Sequence, residues 1–156
     1  MGHIQIGRVV PRFKLPATGD KTVDLKSLRG KIIVLYFYPK DNTPGCTTEG
    51  CDFKANHLKF KRRNAVILGI SRDSIAAHEK FKAKFGFPFD LLSDADEKAC
   101  QLFDVIKEKN MYGRKVMGIE RSTFLIDAHG KLQNEWRKVK VKGHVEDVLD
   151  ALQALQ

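Results

Sequence analysis

Two cysteines, Cys46 and Cys51, sit five positions apart in the stretch Tyr36-Phe37-Tyr38-Pro39-Lys40-Asp41-Asn42-Thr43-Pro44-Gly45-Cys46-Thr47-Thr48-Glu49-Gly50-Cys51. A cysteine attacks as its thiolate, so the chemistry depends on what favours the anion. Ile32 to Tyr38 reads as a buried strand, followed by a turn with two prolines and a glycine and by a helix starting near Cys46. A cysteine in the first turn of a helix faces unpaired backbone N–H groups, which stabilise a negative sulfur. Pro44 suits the start of that helix and Gly45 relieves crowding there. A free cysteine is often buried and inert. At this strand-to-helix junction the reading is a reactive Cys46, with Cys51 as the thiol that answers it.

Five residues along an intact helix give a rise of about 7.5 Å and a rotation of about 500°, placing the two side chains on different faces. A disulfide needs alpha carbons closer than about 7 Å. A Cys46–Cys51 bond therefore requires the turn to unwind. Gly50 weakens a helix interior by about 1 kcal/mol relative to alanine, which makes opening easier. The pair is a poor zinc site, because C-x4-C with scattered histidines supplies no recognisable set of four ligands. The C-x-x-C of general disulfide reductases is absent.

The elements that must position this segment can be read in order. Residues 4 to 16 are an extended lead-in whose prolines oppose a helix. Thr18-Gly19-Asp20 is a turn, Thr22 to Leu25 a short strand, and Leu25 to Gly30 a brief helical turn. Val66 to Ser71 is a second apolar strand, and its spacing from the first suits a parallel crossover. A helix runs from Ser74 to Phe85, with Ile75, Ala77, His78, Phe81 and Phe85 on one face, and stops at Gly86-Phe87-Pro88. Phe89 to Asp94 leads into a helix over Glu97 to Phe103, capped by Ser93 or Asp94.

Residues 104 to 120 read as a loop with at most a short strand. Ser122 to Asp127 is a strand, Ala128-His129-Gly130 its turn, and Leu132 to Val139 its hairpin partner. A last helix carries the stripe Val145, Val148, Leu149, Leu152 and Leu155. Strands separated by helices, with a late hairpin, fit an α/β architecture: a central mixed sheet flanked by helices on both faces. A thioredoxin-like fold is one solution, and periodicity alone does not choose it over a flavodoxin-like sheet.

At 156 residues the chain fits one domain, 1–156, able to bury roughly 70% of its unfolded surface without a staple. Three cysteines, an odd count, and a start with no apolar leader suit a reducing, cytoplasmic setting. The seven-residue run Ile32 to Tyr38 is far short of a membrane span. Gly2 does not begin a myristoylation motif, since position 6 is Ile. A net charge of +9 can attract nucleic acid nonspecifically, yet the basic residues are spread and no nucleic-acid module is present.

Pro39-Lys40-Asp41-Asn42-Thr43-Pro44-Gly45-Cys46 resembles the Pro-x-x-x-Thr-x-x-Cys motif of the peroxiredoxins, and the continuation to Cys51 looks like their bacterioferritin comigratory protein, or Q-type, branch. Gly118 to Asp127 is similar to the segment that carries the family's active-site arginine. Phe87 to Asp94 and Lys140-Val141-Lys142-Gly143-His144 extend the likeness over nearly the whole chain.

The resemblance implies a thioredoxin-like fold and a thiol peroxidase acting on hydrogen peroxide and organic hydroperoxides. Cys46 would be the peroxidatic cysteine and Cys51 the resolving one, forming an intramolecular disulfide that thioredoxin or a similar protein reduces. Arg121 would stabilise the charge at sulfur and departing oxygen. Thr43 would offer its hydroxyl to sulfur or peroxide, Pro39 would shield the pocket, and Glu49 would orient the arginine. Alone, these residues read as a surface arginine, a turn hydroxyl, a strand terminator and a first-turn glutamate.

Resolution within one chain needs no dimer, and the resemblance implies a monomer with no metal, flavin or haem. Cys100 reads as a partly buried helical residue, with a minor alternative role as a resolving thiol. His57, His78, His129 and His144 read as surface or packing residues, and His3 has no context that singles it out. The competing readings are a thiol–disulfide oxidoreductase and a peroxide-responsive redox sensor.

Overall fold

Every residue of Ile32–Phe37 is buried, and an apolar strand without a wet face has to lie inside a sheet. In a computed structural model, which describes residues 4–155, it does. The elements in order are β1 (Lys14–Ala17), β2 (Lys21–Asp24), a 3-10 turn (Leu25–Leu28), β3 (Ile32–Phe37), α1 (Pro44–Ala55), α2 (His57–Arg62), β4 (Ala65–Ser71), α3 (Ile75–Phe85), β5 (Asp90–Ser93), α4 (Lys98–Leu102), β6 (Ile106–Met111), β7 (Arg114–Ile119), β8 (Ser122–Ile126), β9 (Leu132–Trp136) and α5 (His144–Ala154). Seven strands form one sheet in the order β2-β1-β5-β4-β3-β8-β9. β3 runs parallel to β4 and antiparallel to β8, so the sheet is mixed, as expected. The readings at Gly2 and His3 lie outside the described residues.

Alternate residues of β3 serve two cores. Ile33, Leu35 and Phe37 pack with Phe13, Ala99, Cys100, Phe103 and Phe124, beneath the lead-in and α4. Val34, Tyr36 and Tyr38 pack with Cys46, Phe53, Phe60, Phe81 and Val148, beneath α1, α2, α3 and α5. Each fully buried phenylalanine here stabilises the fold by about 1.5–3 kcal/mol. The reactive segment is thus nailed to the second core through Tyr36, Tyr38, Cys46 and Phe53.

Several sequence expectations are corrected. Residues 106–119 form a two-stranded antiparallel ribbon, β6–β7, turning at Tyr112 and Gly113. Its alternation is masked because both faces are largely exposed and rich in lysine and arginine, so no apolar period shows. The extended lead-in ends in the strand β1, in keeping with its reading, whereas Asp90–Ser93, read only as a lead into a helix, is a parallel strand beside β4. β9 stops at Trp136 and the α5 stripe stops at Leu152, leaving Leu155 exposed. Ser74 caps α3 by accepting from the Ala77 amide, and Gly86 ends it in the left-handed conformation. Ile75, Ala77 and Phe85 are only half-buried on its inner face. The N-cap of α4 is Glu97, not Ser93 or Asp94, although the Asp94 carboxylate does accept from the amides of Ala99 and Cys100 in its first turn.

Candidate active site

β3 delivers the chain to a turn that is held from several sides. The Tyr38 amide donates to the Ile70 carbonyl (3.0 Å), and the Tyr38 hydroxyl donates to Asp41 Oδ1 (2.6 Å). The Asp41 amide donates to Asp73 Oδ2 (2.9 Å), and Asn42 takes a positive φ of 61°. Thr43 is then the N-cap of α1 and Pro44 its first residue. The first helical bond runs from the Thr47 amide to the Thr43 carbonyl (2.8 Å), which leaves the N–H groups of Gly45 and Cys46 ahead of the ladder. Cys46 therefore lies in the first turn of the helix, with only 2% of its surface exposed.

Arg121 comes from the opposite strand. Phe37 pairs with Ser122, so the residue just before β8 faces the end of β3, and the Arg121 carbonyl is anchored by the Val139 amide (3.0 Å). Its Nη1 donates to Glu49 Oε1 at 2.7 Å and its Nη2 to Cys46 Sγ at 3.5 Å. One guanidinium thus holds the acid and the sulfur together, three residues apart on one helix. Burial works against the Arg121 charge, but Glu49 and Cys46 outweigh it and leave the guanidinium more firmly protonated than usual. Glu49 is wholly buried, and that burial pushes its carboxyl up to about 7, with Arg121 opposing.

The expected residues fall into two groups. Cys46, Glu49 and Arg121 meet directly. Thr43 lies at the helix start, but its hydroxyl donates to the Lys40 carbonyl (2.8 Å), as a turn hydroxyl does. Pro39 is half-buried at the start of the turn. Cys51 is half-buried, carries a free thiol and sits on the same unbroken helix as Cys46, so the two face different ways. Gly50 has a packing role that the sequence did not reveal: a Cβ there would meet Phe87 Cζ at 2.5 Å. Cys100 is completely buried, and burial together with Asp94 drives its thiol far above the ordinary range.

Three further features escaped sequence reasoning. Lys109 on β6 passes beside Gly118, and burial, followed by the charges of Arg121 and Arg72, lowers its ammonium pKa, while Cys46 pulls it the other way. His78 is buried against Asp41, its Nδ1 2.6 Å from Oδ2 and its Nε2 2.9 Å from the Leu92 carbonyl. His144 is buried behind Glu49, in the Lys140 to His144 segment already noted for its likeness to a family. No periodicity marks such contacts, because each is made between distant segments.

A profile of the AhpC/TSA family matches residues 6–135. The chain belongs to the peroxiredoxins. It is 56% identical to peroxiredoxin Bcp of Xanthomonas campestris pv. campestris over 144 residues, covering 91% of this chain and 90% of the relative. Peroxiredoxin Bcp of Bacillus subtilis is 54% identical over 149 residues, covering 96% and 95%. A structure of the Xanthomonas campestris bacterioferritin comigratory protein, studied for its alkyl peroxide reduction, superposes with a TM-score of 0.90 at 50% identity, covering 99% of this chain and 98% of that one. The expected thioredoxin-like fold is therefore the one present, and this peroxiredoxin is an enzyme that reduces peroxide. No helix among the described residues is long and apolar enough to cross a membrane.

Proposed function

We propose that this peroxiredoxin reduces hydrogen peroxide and organic hydroperoxides at Cys46, resolves the product through Cys51 and is recycled by thioredoxin or a thioredoxin-like protein. The observation that carries the reading is the Arg121 fork, with one arm 2.7 Å from Glu49 and the other 3.5 Å from Cys46 Sγ. The Cys46 thiolate attacks the proximal, protonated peroxide oxygen; the S–O bond forms as the O–O bond breaks. Cys46 becomes a sulfenic acid, and the departing oxide takes a proton to leave as water or alcohol. Charge develops on sulfur and on the leaving oxygen, where Arg121 and the amides of the first α1 turn can stabilise it. With its own proton given to Lys40, Thr43 Oγ1 keeps its lone pairs for the peroxide O–H. Pro39 shields one side of the pocket, and Glu49 holds the guanidinium in place.

Cys51 then attacks the Cys46 sulfur, forming the disulfide and expelling hydroxide, which is protonated to water. Because both thiols belong to α1, this step needs the helix to unwind and needs no second subunit, in keeping with a monomer working in the cytoplasm. A dithiol protein returns both cysteines to thiols by exchange, becoming a disulfide itself. The test follows peroxide-dependent NADPH oxidation with thioredoxin and thioredoxin reductase. Consumption should vanish in Cys46→Ser and fall severely in Cys51→Ser. Unchanged turnover in Cys46→Ser would overturn the assignment.

A further inference from the structure

Glu49 Oε1 is taken by Arg121, but Oε2 is buried and makes no hydrogen bond among the described residues. A buried carboxylate oxygen without a donor costs about 1–3 kcal/mol or more, so its surroundings need an explanation. His144 Nε2 lies 3.9 Å from it. That is too long for a hydrogen bond, and a shift of about 1 Å makes it one. The ring cannot drift away, because Nε2 also lies 2.8 Å from Thr123 Oγ1. Phe53 and Trp136 both stand perpendicular to it, with centroids 6.5 Å and 5.9 Å away.

We propose that His144 is a positioning residue for the peroxidase reaction: it holds Glu49 Oε2, and through Glu49 fixes the Arg121 guanidinium against Cys46. The linkage joins the start of α5 to the sulfur by way of one acid and one base. It rests on the peroxidase activity itself and is indifferent to which thiol resolves.

Imidazole suits this place because a neutral ring can either donate or accept at Nε2, according to its tautomer. Burial, with a smaller push from Arg121 and against the pull of Asp147, lowers His144 to about 4, so the ring is neutral at working pH. Glu49 changes protonation near 7. Below that point the acid O–H shares the Nε2 lone pair with the Thr123 hydroxyl, and above it Nε2–H is shared between the carboxylate and Thr123 Oγ1. Oε2 is satisfied in both states, and Oε1 stays with Arg121. The other titratable groups facing this pair are Arg121 ahead of β8, Tyr36 on β3, Cys46 and Asp52 on α1, and Glu146 and Asp147 on α5.

The test compares wild type, His144→Phe, His144→Gln, Glu49→Gln and the double variant Glu49→Gln/His144→Phe. For each, the second-order rate of Cys46 sulfenic acid formation with hydrogen peroxide is followed from pH 5 to 9 by stopped flow and dimedone trapping. His144→Phe fills the space without a polar atom. It should slow Cys46 oxidation about tenfold and displace the Glu49-linked inflection from its wild-type pH, since both protonation states of the acid have lost their partner at Nε2. His144→Gln, whose amide can donate or accept, should recover most of the rate. The double variant should be no slower than Glu49→Gln alone.

A folded His144→Phe with unaltered rate and pH profile overturns the proposal, as does a double variant in which the two losses multiply. If His144→Phe does not fold, the His144→Gln result decides: a rate as low as that of Glu49→Gln overturns the role of the Nε2 position. Failure of wild-type Cys46 to react with peroxide would instead count against the peroxidase reading.

Discussion

Arg121 reaches Cys46 across Gly45: its Nη2 lies 3.5 Å from the sulfur, and a Cβ at position 45 would stand 2.9 Å from that same nitrogen. The glycine is a gap through which the guanidinium approaches the Cys46 sulfur. Gly45→Ala should push the guanidinium aside and lower kcat/KM for peroxide by about 10- to 100-fold, the cost of displacing a charge by about 1 Å. Circular dichroism should show an intact fold.

Stability should fall as pH rises through Glu49's window. Its folded pKa of about 7 lies above the ordinary value of 4.5, so the folded state binds the proton more tightly than the unfolded one. The contribution is fully present below pH 4.5 and is lost as pH rises through 7. It amounts to at most about 3 kcal/mol. Urea unfolding of wild type between pH 5 and 8 should show that decline, and Glu49→Gln should flatten it. A slope unchanged in the variant would show that another group titrates.

Phe87 closes on Gly50 so tightly that Gly50→Ala should destabilise the protein by about 1–3 kcal/mol, although alanine is the better helix former. Phe87→Leu, added to Gly50→Ala, should restore part of the loss. Chemical denaturation of the three variants checks this.

The turn before Thr43 is tied to α3 by a buried pair. The Leu92 carbonyl only accepts, so His78 Nε2 carries a proton, while Nδ1 lies 2.6 Å from Asp41 Oδ2. Asp41 Oδ1 in turn accepts from Tyr38. His78→Phe strands the Asp41 carboxylate beneath the surface and should cost about 3–5 kcal/mol in unfolding experiments.

Cys100 is sealed in the other core, with its thiol held above the ordinary range by burial and Asp94. Native iodoacetamide treatment should leave it unmodified, and Cys100→Ala should keep peroxide turnover within about twofold of wild type. Loss of activity in that variant would restore Cys100 as a resolving thiol.

Much of this molecule is legible in its sequence where the signal is local. The apolar run of β3, the proline and glycine ahead of Cys46, and the Ser74 and Gly86 boundaries of α3 all depend on neighbours along the chain. The β6–β7 ribbon leaves no periodic signal because it has little buried face, and β5 leaves none because four residues beside Phe89 give no period. Cys46 and Arg121 could be named from motifs, but their 3.5 Å contact depends on a register between β3 and β8. His144 and His78 are harder still. A buried histidine in sequence resembles a surface one until the fold supplies Glu49 or Asp41 as its neighbour.

The indole of Trp136, set edge-on to His144, has an optical consequence. It is the chain's single tryptophan, so intrinsic emission excited at its wavelength comes from one place. That place is one ring away from Glu49 and two further groups from the sulfur. Unwinding of α1 or rearrangement of the Glu49–Arg121 pair should alter the surroundings of that emitter, so that the proposed redox cycle should be readable as a change in light, with no label attached.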